Sequence, residues 1–102
     1  MRLLIAEDEL DLAEALTVFF EKNHFSVDAV HNGFDAYEYA STGEYDAVIL
    51  DVMMPKLDGY SAVKEIKKDK DVPVIMLSAR SEEYDKLFGF EIGVDDYVTK
   101  PF

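Results

Sequence analysis

Three short stretches of this chain are apolar on every residue, and they constrain its fold more than anything else in it. They are Leu3-Leu4-Ile5-Ala6, Ala47-Val48-Ile49-Leu50 and Pro73-Val74-Ile75-Met76-Leu77. A strand with no polar side has both faces covered, which is the condition of parallel strands in an α/β sheet. The segments between them carry helical spacing. Residues 9–22 set Leu12, Leu16, Phe19 and Phe20 on one stripe. Phe25 to Val30 alternates as an edge strand would. Asn32-Gly33 marks a turn into a short helix through about Ala40. Asp58 caps a helix whose inner face is Tyr60, Val63 and Ile66. Ser81 caps another, with Glu82 and Glu83 suited to its positive end, and Tyr97-Val98 makes a last short strand.

Strand and helix thus alternate four times before a final strand. With short right-handed connections this predicts an α/β domain, a flavodoxin-like doubly wound five-stranded parallel sheet of order 2-1-3-4-5. At 102 residues, without repeat, linker or low-complexity segment, the chain is read as one domain over 1–102. Its charge of −12 disfavours nucleic acid or anionic lipid as a direct partner of this chain. It favours a divalent cation wherever carboxylates converge, although most of the 22 acids simply solvate the surface. The absence of cysteine removes disulfides, thiolate metal sites and cysteine nucleophiles, and fits the cytosol. No apolar run reaches the length of a membrane span. Glu7-Asp8-Glu9 cuts short the apolar start that a signal peptide would need, so a cytoplasmic protein is the simplest reading.

Sheets of this kind bind ligands beyond the carboxyl ends of their strands. Glu7 and Asp8 follow the first apolar run, Asp51 the next and Ser78 the third. Thr99 and Lys100 follow the last strand. Three carboxylates held together repel one another unless a cation compensates. Mg²⁺ takes one or two carboxylates and keeps water or phosphate oxygens in its remaining positions. Lys100 and Ser78 offer donors to an anion. A cation site, a carboxylate nucleophile and oxyanion donors together suit in-line phosphoryl transfer, and a carboxylate nucleophile gives an aspartyl-phosphate. Asp51, at the end of a central strand, is the candidate nucleophile. Asp8, alone or with Glu7, is the better metal ligand.

These residues also carry a resemblance. Glu7-Asp8, Val48-Ile49-Leu50-Asp51-Val52-Met53-Met54-Pro55, Asp58-Gly59, Ser78-Ala79 and Lys100-Pro101-Phe102 resemble, in order and spacing, the receiver domain of bacterial response regulators. The resemblance implies a phosphorylation switch of a two-component system, with a sensor histidine kinase as partner and Mg²⁺ as cofactor. Asp51 would be the phosphoacceptor. Asp8, Asp51 and the backbone carbonyl of Met53 would bind the ion, with Glu7 acting through a water. Lys100 and Ser78 would contact the phosphoryl group, and Tyr97 would be the switch aromatic. Met53, Arg80 and the segment from Gly93 to Phe102 look like the OmpR/PhoB-type subfamily, which implies transcriptional output from a longer parent protein. Receivers continue past Lys-Pro-Phe into a fifth helix on the face covered by residues 9–22. The chain is therefore expected to be truncated, to lack that last helix, to expose apolar surface and to self-associate. Arginines of that helix pair with acids matching Asp95 and Asp96 when the subfamily dimerises, so the usual dimer is not expected.

Each residue taken singly has an ordinary explanation. Glu7 and Asp8 suit a helix N-terminus, Asp51 a turn, Ser78 a helix start and Lys100 a solvated surface. Their convergence on one rim is what argues for a site. Met53-Met54 reads as packing rather than a soft-metal site, and His24 and His31 as surface histidines. Two other functions fit a carboxylate on this fold. A haloacid-dehalogenase-like phosphatase would need an acid where Met53 stands. A flavin- or nucleotide-binding module would need a glycine-rich loop where Glu7 and Asp8 stand.

Overall fold

The computed structural model describes residues 1–52, 54, 56–78 and 94–99, with the side chains of Ser78, Tyr97 and Thr99 outside the description. Its elements are β1 (Arg2–Ala6), α1 (Leu10–Lys22), β2 (Ser26–Val30), α2 (Gly33–Thr42), β3 (Ala47–Asp51), α3 (Gly59–Asp69), β4 (Val74–Ser78) and β5 (Asp96–Thr99). The five strands form one sheet in the order β2-β1-β3-β4-β5, and every pairing is parallel. This is the predicted architecture and strand order. The helix expected from Ser81 lies outside the described residues.

Local chemistry sets the helix starts. Asn32 caps α2 by accepting from the Asp35 amide at 2.8 Å, and its own amide donates to the Asp35 carboxylate at 2.9 Å. Asp58 caps α3 by accepting from the Ser61 amide at 2.9 Å. At α1 the N-cap is Glu9, whose side chain makes no capping bond. Among the described residues no helix is long and apolar enough to cross a membrane.

The two faces of the sheet are covered unequally. On one face Leu4, Val48, Leu50, Val74 and Met76 are fully buried under Ala62, Val63 and Ile66 of α3 and Ala36 and Ala40 of α2. On the other, Ile5, Ile49 and Leu77 form a smaller cluster against Leu16 and Phe20 of α1. Beside α1 an entirely apolar groove of about 410 Å³ runs between Leu16, Phe19, Phe20, Ile49, Ile75, Leu77 and Val98. One expectation is corrected here. Phe19 is not an inward member of the α1 stripe but stands 60% exposed at the edge of this groove. Helical spacing puts it near the stripe's boundary, and no described element packs over that side.

Candidate functional site

The site begins where β1 and β3 end. These strands are direct neighbours and Ala6 lies opposite Leu50. The next residues along each strand are therefore Glu7 and Asp51, abreast on one rim. One carboxylate oxygen from each of Glu7, Asp8 and Asp51 lies within 4.8 Å of the others. Their environments differ. Glu7 is fully buried, Asp51 is 5% exposed and Asp8 is open to solvent. The cluster thus has a fixed floor and one open side.

Glu7 is held at three points. Its amide donates to the Val30 carbonyl at 3.0 Å, and its carboxylate accepts from the Glu9 amide at 3.1 Å. Its carbonyl lies 3.0 Å from His31 Nδ1. A carbonyl can only accept, so Nδ1 carries the hydrogen in that contact.

Asp51 is fixed by the chain that follows it. The Val52 amide donates to Leu77 O of β4 at 3.0 Å, and the Gly59 amide donates to Val52 O at 2.9 Å. The loop after β3 therefore folds back on the strand end. Within it Lys56 adopts a left-handed φ of 68°. A Cβ at Gly59 would land on the Asp51 carbonyl and lie 2.8 Å from Val52 Cα. Only glycine permits so close an approach of α3 to the strand carrying Asp51. Gly33, at the start of α2, meets the same loop, and a Cβ there would land on the Leu57 carbonyl.

The donor set consists of hard carboxylate oxygens with no thiolate or imidazole among them. That chemistry fits Mg²⁺ or another oxygen-seeking divalent ion. An exposed carboxylate beside two buried ones leaves outward coordination positions for water or a phosphate oxygen.

Of the other expected residues, Ser78 ends β4 and pairs with Thr99 of β5, so its backbone lies on the same rim. Tyr97 stands in β5 opposite Met76. The side chains of both, and Met53 and Lys100 altogether, lie outside the described residues. Sequence reasoning left His31 on the surface. It is exposed, yet it touches the Glu7 backbone. The signal for it was the topology itself. His31 follows β2 as Glu7 follows β1, and Ala6 pairs with Val30.

Residues 3–102 match the response regulator receiver domain. The chain belongs to this family. It is 46% identical over 103 residues to the transcriptional regulatory protein DltR of Streptococcus agalactiae, covering 100% of this chain and 46% of that protein. The receiver thus spans just under half the length of such relatives. Among solved structures it is similar to the receiver domain of a Francisella response regulator, with 37% identity and a TM-score of 0.94 over 99% of this chain and 84% of that one. It is also similar to the receiver domain of a sensor histidine kinase from Pseudomonas aeruginosa, which holds a magnesium ion in its active site cleft. There the identity is 32% and the TM-score 0.90, covering 99% and 85% of the two chains. The phosphatase and flavin readings find no support in this membership.

Proposed function

We propose that this receiver takes a phosphoryl group from a sensor histidine kinase onto Asp51, with Mg²⁺ held by Asp8, Asp51 and the Met53 carbonyl and Glu7 acting through a water. The observation that carries the reading is the meeting of Glu7, Asp8 and Asp51 within 4.8 Å at the end of two central strands. The magnesium in the related Pseudomonas receiver supports the choice of ion. When bound, the ion neutralises charge on the carboxylates and the incoming phosphoryl group.

The rest belongs to the chain's own residues. An Asp51 carboxylate oxygen attacks phosphorus in line as the P–N bond to the kinase histidine breaks, and the proton-bearing imidazole leaves. The fixed Asp51 backbone keeps that oxygen at one place on the rim, which is the main requirement of phosphoryl transfer. Glu7, buried and bonded to the Glu9 amide, keeps its carboxylate at a fixed place beside Asp51. Lys100 and Ser78 are assigned the phosphoryl oxygens, and Tyr97 the inward movement that follows Ser78. Water later cleaves the acyl phosphate and releases inorganic phosphate, so the domain catalyses its own phosphorylation and dephosphorylation.

The wider reading is that of an OmpR/PhoB-type regulator acting in the cytoplasm, with residues 1–102 as the receiver segment and transcriptional output from other parts of the protein. The apolar groove between Phe19, Phe20 and Val98 supports a further helix docking on the α1 face. In residues 1–102 taken alone, the same groove favours self-association, and a sedimentation profile that stays monomeric across concentrations counts against it.

The test is direct. With Mg²⁺ and acetyl phosphate, intact mass should rise by one phosphoryl group on the wild type and stay unchanged on Asp51→Asn. Equal addition to both proteins, or none to the wild type, overturns the assignment.

A further inference from the structure

We infer that His31 is a positioning residue for the acidic site, holding the buried Glu7 in place through the Glu7 carbonyl. The inference rests on the metal-site reading above and extends it to a residue outside the carboxylate cluster. β1 and β2 stop pairing at Ala6 and Val30. One residue further the Glu7 amide still donates to Val30 O at 3.0 Å, and His31 Nδ1 meets the Glu7 carbonyl at 3.0 Å. The end of β2 therefore grips both sides of Glu7, the backbone amide through its own carbonyl and the backbone carbonyl through an imidazole.

Position matters here because Glu7 has little freedom to compensate. Its side chain is fully buried, and its carboxylate is tied to the Glu9 amide at 3.1 Å. A shift of the Glu7 backbone carries that carboxylate with it, and carries the adjoining Asp8 as well. His31 is itself exposed, so its removal opens no cavity in the core. Both the neutral Nδ1–H tautomer and the imidazolium can donate to the carbonyl, so the contact does not depend on the charge of the ring. Outer hydrogen bonds that orient metal-site carboxylates have this effect generally, and their loss weakens binding without removing a ligand.

The experiment is a Mn²⁺ titration of the full chain, read as free Mn²⁺ by electron paramagnetic resonance, with Mg²⁺ as competitor. It is run on the wild type, Asp51→Asn, His31→Ala and His31→Asn, well below each protein's melting temperature. Asparagine places an amide donor close to where Nδ1–H stands. The expected result is affinity reduced about tenfold in His31→Ala and restored to within about twofold of wild type in His31→Asn, by the match of donor position. A purely structural histidine would lower the melting temperature of His31→Ala and leave its Mn²⁺ affinity at the wild-type value. That result overturns the inference, as does His31→Asn binding no better than His31→Ala. Wild type binding Mn²⁺ no better than Asp51→Asn would instead overturn the metal site itself, so the two failures are distinct.

Discussion

The two rims of the sheet handle acidic residues in different ways. At the rim where strands begin, acids are tied to donors. Arg2 reaches Asp28 at 2.8 Å, the Tyr45 hydroxyl donates to the same carboxylate oxygen at 2.6 Å, and the Arg2 guanidinium lies 4.9 Å over the Tyr45 ring. Lys70 holds Glu44 at 3.0 Å, and Lys67 holds Asp95 at 2.9 Å. At the rim where strands end, Glu7, Asp8 and Asp51 are turned toward one another as well, the Glu7 carboxylate also accepting from the Glu9 amide. The first arrangement fastens the fold. The second collects negative charge that a cation can relieve. A substitution of the same kind should therefore have different consequences at the two rims.

The largest difference is expected at glycine. Gly59→Ala pushes a methyl group onto the backbone of Asp51 and Val52, neither of which can swing aside. A loss of about 3 kcal/mol is expected, together with slowed phosphoryl incorporation because Asp51 must move. At the opposite rim, a Cβ on Gly43 meets the Tyr45 ring edge at 2.8 Å and the Tyr39 carbonyl at 3.1 Å. The closest obstacle is a side chain that can shift and the backbone contact is less severe than at Gly59, so Gly43→Ala should cost about 1–2 kcal/mol and leave incorporation intact. Urea unfolding and the mass assay check both, and equal costs would remove the distinction between a backbone and a side-chain obstacle.

Next comes a reversal of sign between acids. Asp28→Ala removes the acceptor shared by Arg2 and Tyr45 and should destabilise by about 1.5 kcal/mol, as charged hydrogen bonds do. Asp8→Asn relieves crowding with Glu7 and Asp51 and should stabilise the metal-free protein by on the order of 1 kcal/mol at low salt. Millimolar Mg²⁺ should raise the melting temperature of the wild type and leave Asp8→Asn nearly unmoved. If Asp8→Asn melts lower than wild type in chelator, the three carboxylates are not repelling one another.

Much of this was legible in the sequence because burial writes itself into composition. Uninterrupted apolar runs at Leu3–Ala6, Ala47–Leu50 and Val74–Leu77 could be satisfied only by strands covered on both faces, which gave the sheet and the rim where Glu7, Asp8 and Asp51 meet. Asp58 announced its helix because a cap is a local bond between near neighbours, and Asn32, read only as part of a turn, caps α2 in the same way. Phe19 was misplaced because periodicity records which residues share a face but not where its covering stops. His31 was passed over because its contact with Glu7 spans 24 residues and depends on strand register, which no local pattern carries. The reason for Gly59 was hidden for the same cause. The motif showed a glycine, and the backbone approach that demands it exists only after folding.

The smallest effects are titrations at the rim where strands begin, and their signs are opposite. The Lys67 ammonium beside Asp95 holds its carboxyl below the ordinary value of 3.8, against burial, with help from the Val74 amide. A depressed carboxyl contributes stability that is present above its unfolded value and fades as the pH falls through the lower folded one. Lys67→Met should therefore cost a few tenths of a kcal/mol at neutral pH, as exposed pairs do, and the gap to wild type should close below about pH 4. Tyr45 lies at the other extreme. Burial and its hydrogen bond to Asp28 push the phenol from 10.0 up to about 12. A raised phenol contributes fully below pH 10 and loses that contribution as the pH climbs through the folded value. Tyr45→Phe should flatten the alkaline limb of a melting-temperature profile and leave the acid limb as it is, whereas Lys67→Met should do the reverse. A variant that moved both limbs would mean that the two fastenings act as one network and not as separate clasps on β2 and β5.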